Sequence, residues 1–486
     1  MKPILWLGLI GAAIAVTGNC MAQTNTIAEA TRLEVQGQFQ AAALVLSTAI
    51  KSGKVSGSEL RSLEWERDLL DRIRKDYSDT KEELFRGLKE SVRDITPEEF
   101  DRWIAQGWFD GREIDGVQRF FNASVSNLFF RHPELNGRRL PPKDRSEHER
   151  AVLRNVEMIK QAVHDEHTPY VLPRKFQVTM KVTAKTNAAA KGELIRAWVP
   201  IPRRYPFQSD FKLLSSSFSP REIAPEDSPI RSIYFEEKAR GATPLEFRID
   251  YEFTTRGVSF ELDPARIRPC DPKDEALAPY LTEAAHVEFT SRIRDLSAQI
   301  VGSETNAMLR AKKIYEWLSE HLLYSYALEY STIPNISEYC RANGYGDCGQ
   351  QGLLFITLCR YNGIPARWQS GWNMFPKSTT NHDWTEIYLA PYGWMPVDPY
   401  MGNYAMRYAT TLTDGQKREI RDFYFGGLDH YRMAANADHN ATLTPAKKSF
   451  RSDDVDFQRG ELESNGRNIY FDKFSYHFDW KELTNP

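Results

Sequence analysis

Three short motifs carry the residue types that nucleophilic catalysis requires. Gly344-Tyr345-Gly346-Asp347-Cys348-Gly349-Gln350-Gln351-Gly352 sets a thiol in glycine-rich backbone. His382-Asp383-Trp384-Thr385-Glu386-Ile387-Tyr388-Leu389 supplies an imidazole, and Gly393-Trp394-Met395-Pro396-Val397-Asp398-Pro399 a carboxylate. A cysteine attacks a carbonyl carbon as the thiolate. A neighbouring histidine takes the thiol proton and later delivers it to the leaving amine. A carboxylate fixes the imidazole tautomer and favours imidazolium. Cys348, His382 and Asp398 are therefore the candidate catalytic triad. Cys359, set among apolar residues, is expected to be inert core.

The elements that must position these groups are readable nearby. Leu354, Thr357, Leu358 and Tyr361 recur as a helical stripe, and Asn362-Gly363 with Pro365 ends it. Cys348 then lies at a helix N-terminus, where free N–H groups and the macrodipole favour an anionic sulfur and lower the thiol pKa. The same N–H groups can receive an oxyanion. Alternation from His382 to Leu389 argues a strand with His382, Trp384 and Glu386 on one face. Ala390-Pro391-Tyr392-Gly393 is hairpin-turn chemistry. A turn centred on Pro391-Tyr392 puts Thr385, not His382, opposite Asp398. That offset is about three residues, or roughly 10 Å along a strand. A bulge or an asymmetric turn must take it up.

Over about residues 311–402 these motifs together resemble the core of the transglutaminase-like superfamily. The matching features are Gly-Asp-Cys-Gly at 346–349, Gly-Ile-Pro-Ala-Arg at 363–367, Gly371, His382-x-Trp384-x-Glu386 and Trp394-x-Pro396-x-Asp398-Pro399. The resemblance implies a papain-like fold with Cys348, His382 and Asp398 as triad. It also implies an upstream side chain that helps bind the oxyanion, for which Tyr324 and Tyr326 are candidates. The segment Arg196-Ala197-Trp198-Val199-Pro200-Ile201-Pro202 is similar to the β domain found before bacterial cores of this type. Among the tryptophans, Trp384 and Trp372 are the substrate-cleft candidates, with Trp384 expected beside His382. Trp368 and Trp394 are the other two of the set.

The chemistry implied is acyl transfer from an amide through a thioester. Water as acceptor makes a peptidase or amidase, and an amine makes a cross-linking transglutaminase. Hydrolysis is favoured, because an exported enzyme meets water at high concentration. The rival reading is a non-catalytic binding protein that kept the fold. No acidic calcium loop stands out. His164 and His167 lack a third ligand at suitable spacing, so no metal or cofactor is expected.

The whole chain frames this site. Its 486 residues exceed one ordinary domain, and 41% hydrophobic and 27% charged residues describe a globular protein. A net charge of −3 gives no reason to expect nucleic acid as partner; a protein or peptide substrate is expected instead. Lys2 and the apolar run Ile4 to Thr17 read as a signal peptide over residues 1–22, hence a secreted or periplasmic protein. Membrane attachment is expected only if Cys20 is lipidated. The fold class expected is α+β. A helical domain (23–170) precedes a small antiparallel β domain (171–265), the transglutaminase-like core (275–410) and a C-terminal extension (411–486) packed on the core. Thr96-Pro97-Glu98-Glu99 predicts a capped helix start with a capping box. Phe176, Val178, Met180 and Val182 alternate as a half-buried strand, and Phe247, Ile249, Tyr251 and Phe253 do likewise. Asp429-His430-Tyr431-Arg432 could approach the cleft from the tail, but a loop salt bridge is the expected reading. Pairing of Cys270 with Cys340 is left open.

Overall fold

The computed structural model describes residues 19–271 and 273–483, with side chains from residue 25 onward. The expected signal segment lies outside them, apart from its last few residues, whose backbone belongs to the helix Asn19–Val35. The chain divides into two compact units, Met1–Lys143 and Asp144–Pro486.

In the first unit the helical stripe Leu33, Phe39, Ala42 and Leu46 is buried, together with Leu63, Leu70 and Ile73. Thr96 caps the helix Pro97–Ala105 by accepting from the Glu99 N–H at 3.2 Å. The predicted reciprocal bond is not made. The Glu99 carboxylate turns instead to the Arg138 guanidinium at 2.7 and 2.8 Å, a stronger charge-assisted partner. An all-helical unit is corrected too: Gly111–Ile114 and Val117–Phe120 form a hairpin. Its two-residue turn Asp115-Gly116 has φ of 51° and 79°, the left-handed pair that Asp-Gly tolerates and that suits strand twist.

The second unit opens with the helix Ser146–Glu166, expected with the N-terminal helices. Three antiparallel sheets follow. The long strands Tyr170–Ala184 and Leu245–Ser259 pair so that Phe176, Val178, Met180 and Val182 face Phe253, Tyr251, Ile249 and Phe247. All eight are fully buried, as their alternation predicts. The final strand Phe474–Leu483 adds to the free edge of Tyr170–Ala184. Glu461–Ser464 likewise pairs with Leu194–Pro200. Thus the C-terminal extension, expected to pack on the core, adds the strand Arg432–Asn436 to the core sheet and also completes both sheets of the β domain.

The third sheet positions the chemistry. Its order is Gly393–Val397, Thr380–Leu389, Ala366–Asn373, Arg432–Asn436. The helix Cys348–Tyr361 lies against it, with Gly352 facing Thr385 and Trp368. Every residue from Gly349 to Arg360 is buried, so the helix is surrounded by protein and not merely striped. Its Leu353, Leu354, Phe355, Ile356 and Leu358 share one core with Ile314, Leu318 and Trp368. Helices and antiparallel sheets in one compact unit give the α+β class.

Candidate active site

The cysteine helix starts where a capping box starts it. Asp347 Oδ1 accepts from the Gln350 N–H at 3.0 Å, and Gln350 Oε1 accepts from the Asp347 N–H at 3.3 Å. Cys348 is the first helical residue. Tyr330 Oη donates to Asp347 Oδ1 at 2.7 Å. A side chain at Gly349 would overlap Tyr330 Oη, so the backbone here is packed shut around the cap.

The histidine strand and the aspartate strand meet by a simpler route than predicted. Leu389 pairs with Gly393 and Thr385 with Val397, with no bulge between. The connection is the three-residue Ala390-Pro391-Tyr392, one longer than the two-residue loop expected. Asp398 therefore comes opposite Trp384, diagonal to His382 on the same face. The imidazole Nε2 and Asp398 Oδ2 are 2.7 Å apart.

Asp398 is held from three sides. Besides His382, its Oδ1 accepts from the Met401 N–H at 3.0 Å and its Oδ2 from Arg432 Nη1 at 2.9 Å. Arg432 also donates from Nε to Asp429 Oδ2 at 2.9 Å. Asp398 and Arg432 are both fully buried. Burial pushes the Asp398 carboxyl up, but the charges of His382 and Arg432 outweigh it and leave the group below the usual carboxylate range. Burial likewise raises Asp429, and Arg432 more than offsets it. The predicted loop salt bridge is thus a buried clamp on the candidate orienting carboxylate, since the strand Arg432–Asn436 pairs beside Ala366–Asn373.

The sulfur differs from expectation. Cys348 is half-buried, and its thiol donates to Asp383 Oδ2 at 3.5 Å, not to His382. Burial pushes the thiol well above its usual pKa, and Asp383 and Asp347, where ionised, push it further. Three carboxyls, Asp398 being the third, surround the helix start and oppose the helix-end field that favours thiolate. Asp383 is in turn gripped by Gln458, whose amide N–H bonds to Oδ1 and also reaches the His382 carbonyl at 3.5 Å. Asp383 had a sequence signal, a polar residue on the inward face of a strand otherwise lined by Thr385 and Ile387. Arg432 lay in the tail segment that could approach the cleft; Gln458 had no signal that placed it here.

The other candidates separate by position. Tyr324 lies 5.1 Å, centroid to centroid, from Tyr400, which lies 5.4 Å from the His382 ring. Burial raises the Tyr324 hydroxyl pKa, and Cys348, where ionised, raises it further. Tyr326 packs 5.5 Å from Tyr324 and is exposed. Trp384 stacks 5.8 Å from His382, as expected, yet is fully buried with Arg432 over its ring at 5.4 Å. Trp372 is no cleft residue: it is buried, stacks on Phe478 at 4.3 Å and donates to the Gln458 carbonyl. Cys270 and Cys340 are both free.

A family model described as the transglutaminase-like superfamily matches residues 294–399, and the chain carries that domain there. An uncharacterised protein of Bacillus subtilis, YebA, is 24% identical over 23% of this chain and 18% of its own length. An uncharacterised protein of Haemophilus influenzae is 20% identical over 42% of this chain and 62% of its own. The matches thus span less than two thirds of either curated relative. A provisionally assigned cysteine protease from Cytophaga hutchinsonii superposes with a TM-score of 0.42 and 15% identity, over 65% of this chain and 93% of that one.

Proposed function

We propose that this transglutaminase-like chain is a cysteine enzyme that attacks peptide or side-chain amides through a thioester, with Cys348 as nucleophile, His382 as general acid–base and Asp398 as its orienting carboxylate. The observation that carries this reading is the buried His382 Nε2–Asp398 Oδ2 bond of 2.7 Å, clamped by Arg432. An imidazole fixed through Nε2 presents Nδ1 as its working nitrogen. Tyr400 and Trp384 hold the ring from two directions.

The steps follow. Nδ1 takes the Cys348 proton, and the thiolate adds to the amide carbon. The charge on the carbonyl oxygen falls to N–H groups at the helix start and to the Tyr324 side of the cleft. The C–N bond breaks as imidazolium gives its proton to the leaving amine. Water then loses a proton to Nδ1, its oxygen attacks the thioester, the C–S bond breaks and the thiol regains its proton. Because the resting thiol is held protonated, proton transfer to His382 belongs to the substrate-bound state. The leader-like N-terminus supports action outside the cytoplasm on protein or peptide substrates.

The test is incubation of the full chain with a peptide library, with and without a primary alkylamine, followed by mass spectrometry. Cleavage or deamidation that disappears in Cys348→Ala supports hydrolysis. Amine incorporation that disappears in that variant supports cross-linking. Product masses unchanged between wild type and Cys348→Ala, with Cys348 alkylated no faster than Cys270, would leave the binding-protein reading.

A further inference from the structure

We propose that the Asp383 carboxyl acts as a neutral hydrogen-bond donor to the Cys348 sulfur, stabilising the thiolate once His382 has taken its proton. This rests on Cys348 being the nucleophile.

The geometry distinguishes the two carboxyl oxygens. Gln458 Nε2 is a pure donor, and it binds Oδ1. Oδ1 is thereby the carbonyl-type acceptor. Oδ2 is left facing the sulfur at 3.5 Å, and it is where a carboxyl proton serves. Gly349 makes this approach possible, because a Cβ there would stand 2.8 Å from Oδ2. In the resting state the thiol donates to Oδ2. After the thiol proton moves to His382 the direction reverses: Oδ2–H donates to an anionic sulfur, and no bond other than the S–H is broken.

The surroundings keep the carboxyl neutral. Facing it are Cys348 and Asp347 from the helix start, Tyr330 from the preceding turn, and Asp453, Asp456 and Gln458 from the tail. Among the described residues no cation is bonded to Asp383. Arg459, whose charge acts on Asp456, is used by Glu329 at 3.1 Å and Asp453 at 3.1 Å. Burial, and then Asp347, push the Asp383 carboxyl well up. Buried carboxylic acids held neutral in this way serve as hydrogen-bond donors to developing anions. An ionised carboxylate at the same place would instead repel the thiolate in a poorly screened site.

The experiment is the pH profile of iodoacetamide alkylation, resolved at Cys348 by peptide mass spectrometry, on the full chain and on Asp383→Asn and Asp383→Ala. The asparagine keeps both roles, its Oδ1 accepting from Gln458 and its Nδ2 donating to sulfur. It is expected to react within threefold of wild type at neutral pH. Its profile should collapse to one step, where the interacting Cys348–Asp383 pair of the wild type gives two. Alanine lacks the donor and is expected to react about tenfold more slowly at neutral pH, equal to about one pKa unit. A folded Asp383→Asn that loses tenfold or more makes the carboxylate a base and overturns the proposal. So does an alanine variant that reacts as fast as wild type, or a wild type and an asparagine variant that share one single-step profile. If alanine does not fold, the asparagine profile decides alone. Absence of preferential labelling at Cys348 in the wild type overturns the parent reading as well, whereas fast labelling with a failed asparagine arm overturns this inference only.

Discussion

Replacing Arg432 by methionine strips the guanidinium that binds Asp398 and Asp429 together. Both carboxylates are buried, Asp398 with no exposed side-chain surface and Asp429 with 2%. Removing one partner of a buried charge network leaves uncompensated charge and costs about 3–5 kcal/mol. The pH dependence has a definite sign. Asp398 and Asp429 titrate below the ordinary carboxylate range in the folded protein. They therefore contribute stability that is present above the unfolded value of about 4 and lost as pH falls below it. Without Arg432, burial is no longer offset by its charge, and both groups shift upward. The deficit of Arg432→Met is then largest at neutral pH and shrinks as the carboxyls take protons toward about pH 5. Chemical denaturation of the second unit, followed at both pH values with Cys348 alkylation alongside, checks this. A deficit below about 1 kcal/mol at neutral pH, or one of equal size at both, refutes the clamp. Lysine should rescue only partly, because it has no fork with which to bind two carboxylates.

Other variants test the rest of the frame. Gly371→Ala places a methyl group against the Met433 carbonyl oxygen on the neighbouring strand. It is expected to cost at least about 1–3 kcal/mol and to displace Arg432, lowering amide turnover together with the unfolding midpoint. Trp372→Ala removes a ring stacked beneath Phe478. About 3–5 kcal/mol of stability should go, while the relative labelling rate of Cys348 stays unchanged in the protein that remains folded. Asp347, raised to about 6 chiefly by burial, is unfavourable to the fold once ionised. Asp347→Asn keeps a good N-cap and should raise the unfolding free energy at neutral pH by on the order of 1 kcal/mol. It should also shift Cys348 alkylation to lower pH. Native-state thiol titration should leave Cys340 and Cys359 unreacted, since both are fully buried.

Much of this site was legible from residue types and order. Glycines, a cap and an apolar run announce a helix beginning at Cys348, and period-two alternation announces the His382 strand and the paired β-domain strands. These are short-range signals, set by backbone sterics and by which face meets water. The Asp115-Gly116 hairpin was readable in the same way, from its turn residues. The distance between His382 and Asp398 was not, because a single extra turn residue moves every cross-strand partner. Local rules say nothing of which strand the tail will join, and that choice brings Arg432 beside Asp398 and Gln458 beside Asp383. Nor does a helix-end position determine the state of a thiol: the folded chain buries Cys348 among Asp347, Asp383 and Asp398, and burial above all opposes the helix-end field. Sequence by itself determined the residue types available for the proposed chemistry and the elements that carry them. Tertiary structure decided which charges face the sulfur, because those charges come from segments far apart along the chain and meet only when the sheets close.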